Sequence, residues 1–172
     1  FAELMKANPP HANDYPIIDR MKRIGIEPGK SYAPGAQSKV VQEALAEAPK
    51  LALPQIKAAW NDSGTAVNGW RNKLVAIGTY GTDYLNRAGV AYGGLGANVP
   101  QDAVYPTAFA DADGKPFDSA RRYVMHFPRG QLPPARAFWS LTMYDSDGYL
   151  VANPTNRYAV GSSHPPLVRR AD

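Results

Sequence analysis

The hydrophobic pattern of this chain changes its period near residue 100. Over residues 1–98 apolar side chains recur every three or four positions, which is the spacing of amphipathic helices. From residue 102 onward apolar and polar side chains alternate between turn-forming sequences, which is typical of antiparallel strands. The 172 residues are enough to bury a core, and the sequence therefore predicts an α+β protein, helical first and β-rich afterwards.

Helix signals are clearest around residues 14–25 and 37–60. Asp14 followed by Pro16 resembles an N-cap with proline in the first turn, and Gly25 is placed to end that short helix. The longer segment carries an apolar stripe, but Pro49 removes a backbone donor and clashes with the preceding turn. We expect a break or kink near Pro49 that divides this helix into two segments.

A third helix is expected over residues 83–92, with Thr82 as its cap. The Gly93-Gly94-Leu95-Gly96 cluster after it lacks the Lys-Ser/Thr pair of a phosphate-binding loop, so it indicates close packing or a turn. Val67-Asn68-Gly69-Trp70 predicts a turn that places a large aromatic side chain at its end.

Four strands and two tight turns are predicted in the second half, and the last strand is a short one over residues 149–152. Residues 104–110 and 122–127 have strand character, and residues 137–144 form the strongest strand signal, with large side chains on both faces. Asp111-Ala112-Asp113-Gly114 and Asp145-Ser146-Asp147-Gly148 have the Asp-Gly sequence of hairpin turns.

Several of these segments together resemble domain-of-unknown-function family 1214, in bacterial proteins that also carry family 1254. The resemblance covers roughly residues 66–161 and implies an antiparallel β-sandwich, jelly-roll-like, with no settled activity. We accordingly expect residues 1–65 to be a helical lead-in and linker, and residues 66–172 to be the N-terminal part of the sandwich domain with its leading helix. The matching motifs are Asn68-Gly69-Trp70, Tyr84-Leu85 with Arg87-Ala88, Tyr105, Asp111-x-Asp113-Gly114, Pro133-Pro134, the strand Ala137–Asp145, Asn153-Pro154 and Asn156-Arg157-Tyr158.

Members of that family continue past the equivalent of Asp172 with further strands. A sheet that lacks strands exposes unpaired edges, which folded proteins avoid. We therefore expect an incomplete fragment whose partner is the remainder of the same polypeptide or a second chain that completes the sheet, with a homo-oligomer as the expected assembly. The resemblance also favours a periplasmic or secreted protein, although no signal peptide is visible.

Composition excludes several classes of protein and site. There is no long apolar run, so no membrane-spanning helix is expected, and the absence of cysteine excludes disulfides and thiolate sites. The net charge of +4 is scattered along the chain rather than gathered in one stripe, which argues against nucleic acid as a partner. No pattern predicts a cofactor or a metal, since the three histidines lack metal-ligand spacing and the aspartate turns lack the distant glutamate of an EF-hand.

The loop over residues 153–158 is the most suggestive candidate for a binding site. Arg157 offers a planar fork for an anion, while the amides and the phenol beside it add directional hydrogen bonds. An alternative is a structural network that pins the loop to the sheet. The candidate ligand-binding residues are Asn153, Asn156, Arg157, Tyr158, Trp139, Trp70 and His126.

Three functions follow as hypotheses. The first is binding of a small or carbohydrate-like ligand in a cleft where the helices meet the sandwich. The second is a jelly-roll hydrolase that uses acidic residues or His126, a histidine being the natural proton carrier near neutral pH. The third is a structural assembly module, and the sequence assigns no catalytic residue.

Overall fold

The computed structural model describes residues 1–163 and divides the chain into two units, Phe1–Pro116 and Phe117–Asp172. Helices occur in the first unit and short antiparallel ladders in both. This content agrees with an α+β protein. The domain boundary expected between residues 65 and 66 stays a prediction.

The first unit contains the helices of the described chain and one hairpin. Its α-helices are α1 (Leu4–Ala7), α2 (Tyr15–Lys22), α3 (Lys39–Asn61) and α4 (Tyr84–Gly93), its 3-10 helices are Ala12–Asp14 and Pro34–Ala36, and its strands are β1 (Thr65–Val67) and β2 (Trp70–Asn72). Within the described range, no helix combines the length and the hydropathy that crossing a bilayer requires.

Helix α2 starts where the sequence predicts, with Pro16 in its first turn and Gly25 just beyond its end at a φ of 81°. Asp14 does not cap it in the expected way. Its carboxylate instead accepts hydrogen bonds from the main-chain N–H of His11 at 3.1 Å and from Oη of Tyr84 at 2.7 Å. The second bond ties the start of α2 to α4.

Helix α3 is continuous through Pro49 and Pro54, so the predicted break is wrong. Each proline deletes one i→i−4 hydrogen bond, but the other bonds of the same turn remain and hold the helix together. The helix begins at Ser38, whose Oγ accepts from the main-chain N–H of Val41 at 3.4 Å. Its far end packs against α4, where Gly89 lies in contact with Ala59.

Helix α4 is capped by Asp83, whose Oδ1 accepts from the main-chain N–H of Asn86 at 3.1 Å, and not by Thr82 as predicted. A carboxylate at this position also interacts favourably with the helix dipole. Gly93 at the end of α4 lies directly against the indole of Trp60, with no room for a methyl group. The close-packing interpretation of the glycine cluster is confirmed at this residue.

The β1–β2 hairpin turns through Asn68 and Gly69, whose φ angles of 50° and 78° fit the two-residue turn that Asn-Gly favours. Arg71 in β2 pairs with Ala66 across the hairpin. On its other side Arg71 exchanges two main-chain hydrogen bonds of 2.8 Å with Thr107. The predicted strand over residues 104–110 therefore joins the ladder only at its centre, next to a proline that cannot donate.

The second unit has β3 (Ser140–Thr142) paired antiparallel with β4 (Ala159–Gly161), with Leu141 opposite Val160. A further bridge joins Tyr144 to Leu150 around the Asp145 turn. The predicted strand over residues 137–144 is thus confirmed at its centre. Residues 122–127, also predicted as a strand, form no ladder with any described segment, and alternation without a hydrogen-bonding partner does not make a strand.

Few apolar side chains of residues 1–163 are buried. Ala2, Met5, Ile77 and Val90 form the buried apolar core, and all four lie in the first unit. The ladders described here are two two-stranded sheets with isolated bridges, so the jelly-roll sandwich remains an expectation from the family resemblance.

Candidate functional site

A shallow depression lies in the first unit where the end of α3 meets the ladder of β2 and the 104–110 segment. Its volume is about 30 Å³, far below the roughly 300–1,000 Å³ of pockets that enclose small molecules. Such a site holds one group or the edge of a ring and leaves the rest of a ligand outside. The lining residues are Trp60, Asn61, Ser63, Arg71, Lys73, Tyr105, Thr107 and Phe109.

Five of these side chains lie around one main-chain pairing. Arg71 in β2 lies directly opposite Thr107 in an antiparallel bridge. Lys73 follows the last residue of β2, and Tyr105 and Phe109 lie two residues on either side of Thr107; all three line the same depression. Two separate stretches of sequence therefore supply one continuous polar and aromatic face.

The charge of this face is positive. Arg71 and Lys73 are both half-buried, and none of the eight lining residues is acidic. Among the described residues neither cation forms a salt bridge, whereas the ion pairs that do form join exposed side chains close together in sequence. Two partly desolvated cations without a counter-charge are suited to an anion.

Aromatic rings flank these cations. Phe109 is 60% exposed, so most of its ring faces solvent. The phenol oxygen of Tyr105 accepts hydrogen bonds from Asn98, from the side-chain amide at 3.0 Å and from the main-chain N–H at 3.3 Å. Trp60 is fixed by its contact with Gly93. The face therefore combines two restrained rings with one freely exposed ring.

The cations also have a structural explanation. The carboxyl end of α3 carries partial negative charge, and a nearby Arg or Lys stabilises it. One carbonyl at that end already has a partner, because Oγ of Ser63 donates to the carbonyl of Trp60 at 2.8 Å. A charge–dipole role and a ligand-binding role make different predictions for substitutions of Arg71.

The loop over residues 153–158 is organised mainly by Asn153. Its Oδ1 accepts from the main-chain N–H of Arg157 at 3.1 Å and from Oγ1 of Thr155 at 2.7 Å, while its amide donates to the carbonyl of Arg157 at 3.1 Å. Asn156 takes a φ of 48° in the tight turn that results. The side chain of Asn153 is thus used in hydrogen bonds within the loop, to Thr155 and Arg157.

The guanidinium of Arg157 does not take part in that structural network. The residue is exposed, as are Asn156 and Tyr158 beside it, and Arg157 forms no salt bridge with a described residue. The loop therefore presents polar side chains to solvent without forming a cavity around them.

Two of the remaining predicted site residues, Trp139 and His126, belong to the same unit as the loop and have no described contact with it. Trp139 is half-buried and packs against Phe127 with ring centroids 5.7 Å apart, and its main chain bonds to Ser162. His126 is exposed. Trp70, the one candidate in the first unit, starts β2 opposite Val67.

The two aspartate turns share one hydrogen-bonding scheme. Oδ1 of Asp111 accepts from the main-chain N–H groups of Asp113 and Lys115, both at 3.0 Å, and Asp145 repeats this with the N–H groups two and four residues later, at 2.9 and 2.8 Å. The predicted hairpin turns are confirmed. Over residues 1–163 no group of three or more histidine, aspartate or glutamate side chains is arranged to hold a metal ion.

Sequence reasoning missed most of the depression. It identified Tyr105 and the 104–110 segment but gave no role to Arg71, Lys73 or Phe109. The alternation Tyr-x-Thr-x-Phe and the Arg-x-Lys spacing were the available signals. Neither shows that the two stretches pair with each other.

Residues 102–172 match the family described as "Protein of unknown function (DUF1214)". The DUF1214 match covers less than half of the chain, and its last residues lie beyond the described range. It includes Tyr105, Thr107 and Phe109 of the depression, whereas Arg71 and Lys73 lie outside it. The co-occurrence with family 1254 stays an expectation. No curated protein and no solved structure matches the chain.

Proposed function

We propose that this protein binds a small, carbohydrate-like ligand on the face formed by β2, the 104–110 segment and the end of α3. The observation that carries the proposal is the convergence of aromatic rings with polar groups, Tyr105 and Phe109 beside Thr107, at one shallow depression. Flat apolar ring faces with a few polar groups beside them suit a pyranose. The depression lies where the end of α3 meets short strands, and its residues differ from those of the predicted loop over residues 153–158.

A binding role fits the described groups better than hydrolysis does. The side chains of Asp111 and Asp145 are used inside their own turns, and His126 is exposed without a described partner. Assembly as a homo-oligomer, completion of the sheet by further polypeptide, and a periplasmic or secreted location are proposals that rest on the family resemblance.

The test is a thermal-shift screen of monosaccharides and small aromatic compounds on the purified protein, followed by titration of the best ligand. Phe109→Ala removes the exposed ring of the depression and is expected to weaken binding by several-fold to about tenfold, the typical loss of one aromatic contact.

Phe138→Ala is the matched control, because Phe138 is 61% exposed against 60% for Phe109 but belongs to the second unit. It should leave affinity unchanged. A screen without a ligand, or an equal loss of affinity in both variants, would contradict the proposal.

A further inference from the structure

The two cations beside the aromatic rings point to a charged ligand. Resting on the proposed function, we infer that the ligand carries a carboxylate on a flat ring and that Arg71 is the residue that selects for it. Arg71 in β2 is half-buried in the lining of the depression, Lys73 just beyond the end of β2 is half-buried in the same lining, and the lining contains no acid.

Geometry explains why both cations reach one ligand. Arg71 and Lys73 both line the depression, and two residues of extended chain span roughly 6.6 Å between Cα atoms. This spacing is comparable to the width of a six-membered ring with one substituent. A ring carboxylate held by the guanidinium therefore leaves a ring hydroxyl or carbonyl within reach of the Lys73 ammonium.

The guanidinium suits this role because its planar fork matches the two oxygens of a carboxylate. The main chain of Arg71 is already fixed, since its N–H and C=O both bond to Thr107 at 2.8 Å. In the described part of the chain its charge is not neutralised by any salt bridge. An incoming carboxylate supplies the missing counter-charge.

A carboxylate on a flat ring occurs both in sugar acids and in aromatic acids. The experiment measures binding of two pairs of probes to the full chain at low salt, D-galacturonate against D-galactose and benzoate against benzamide. In at least one pair the acid is expected to bind about tenfold more tightly than its neutral partner, the effect of one charge-assisted bidentate contact. The pair that shows the preference identifies the source.

Arg71→Gln is expected to abolish that preference by weakening binding of the acid much more than binding of the neutral probe, and Lys73→Gln is expected to reduce the preference in part. Arg87→Gln is the control, an exposed arginine of the same unit outside the depression, and should change nothing. Rising salt should weaken binding of the acid more than that of the neutral probe.

The outcomes separate the two proposals. Equal affinity for acid and neutral probe, or an acid preference that survives Arg71→Gln in a folded protein, overturns the carboxylate inference and leaves the binding function standing. If none of the four probes binds, both fail. Loss of stability in Arg71→Gln with the acid preference intact would assign Arg71 to the dipole of α3 instead.

Discussion

The contact between Gly93 and Trp60 allows a sharp test of how α3 and α4 are joined. Gly93 is the last residue of α4, and a β-carbon there would overlap the five-membered part of the Trp60 indole. Its φ is not in the left-handed region, so alanine is compatible with the backbone. Replacement of Gly93 by alanine therefore tests packing alone.

The expected change in the free energy of unfolding is a balance of two effects. An extra methyl group in a close contact costs about 1–3 kcal/mol, because the indole or the helix must shift. Alanine over glycine gains up to about 1 kcal/mol in a helix interior and less at the last helical position. Gly93→Ala is therefore expected to destabilise the protein by about 1–2 kcal/mol, or about 2–8 °C in Tm.

Urea denaturation followed by tryptophan fluorescence measures this change, with a double-mutant cycle to identify its cause. In a Trp60→Leu background the indole is absent, so the cost of Gly93→Ala should largely disappear. Gly35→Ala is the control. No atom lies within 4 Å of a β-carbon there, and alanine should be neutral or stabilise by about 0.4–1 kcal/mol through the unfolded state.

Two results would refute this reasoning. One is a Gly93→Ala protein as stable as the wild type. The other is an equal loss of stability with and without the Trp60 indole, which would place the effect in the helix end and not in the contact.

Three further predictions concern local contacts. The hydrogen bond to Asp14 raises the pKa of Tyr84. The stabilising effect of this bond is therefore present below about pH 10, the unfolded-state pKa, and is lost as pH rises through the higher folded-state pKa. The difference in stability between wild type and Tyr84→Phe should shrink over that range. Asn153→Ala should abolish hydrogen-exchange protection of the Arg157 amide, whereas Asn153→Asp keeps the Oδ1 acceptor and should preserve it. Gly69→Ala places a β-carbon at a φ of 78° and should destabilise the hairpin by about 1–2 kcal/mol in urea denaturation, while wild-type stability would show that the turn relaxes.

The features that the sequence predicted correctly are those encoded within a few residues. Asn68-Gly69 and Asp111-Ala112-Asp113-Gly114 specify turns through their own conformational preferences and hydrogen bonds, so a short window contains the information. The start of α2 at Tyr15, with Pro16 in its first turn, is of the same kind.

The errors and omissions have non-local causes. Pro49 is a genuine local signal against a helix, yet the remaining bonds of α3 outweigh it. Residues 122–127 alternate as a strand does but have no described partner. The depression depends on Arg71 pairing with Thr107, and nothing in either stretch identifies the other. A candidate site assembled by such pairing cannot be read from spacing alone.

The pairing of Arg71 through its main chain has a consequence for protein engineering. Because its N–H and C=O both bond to Thr107, any residue other than proline at this position can form the same main-chain hydrogen bonds. The same holds for Thr107 across the ladder. The charge at these two positions can therefore be changed without removing a main-chain hydrogen bond of the ladder.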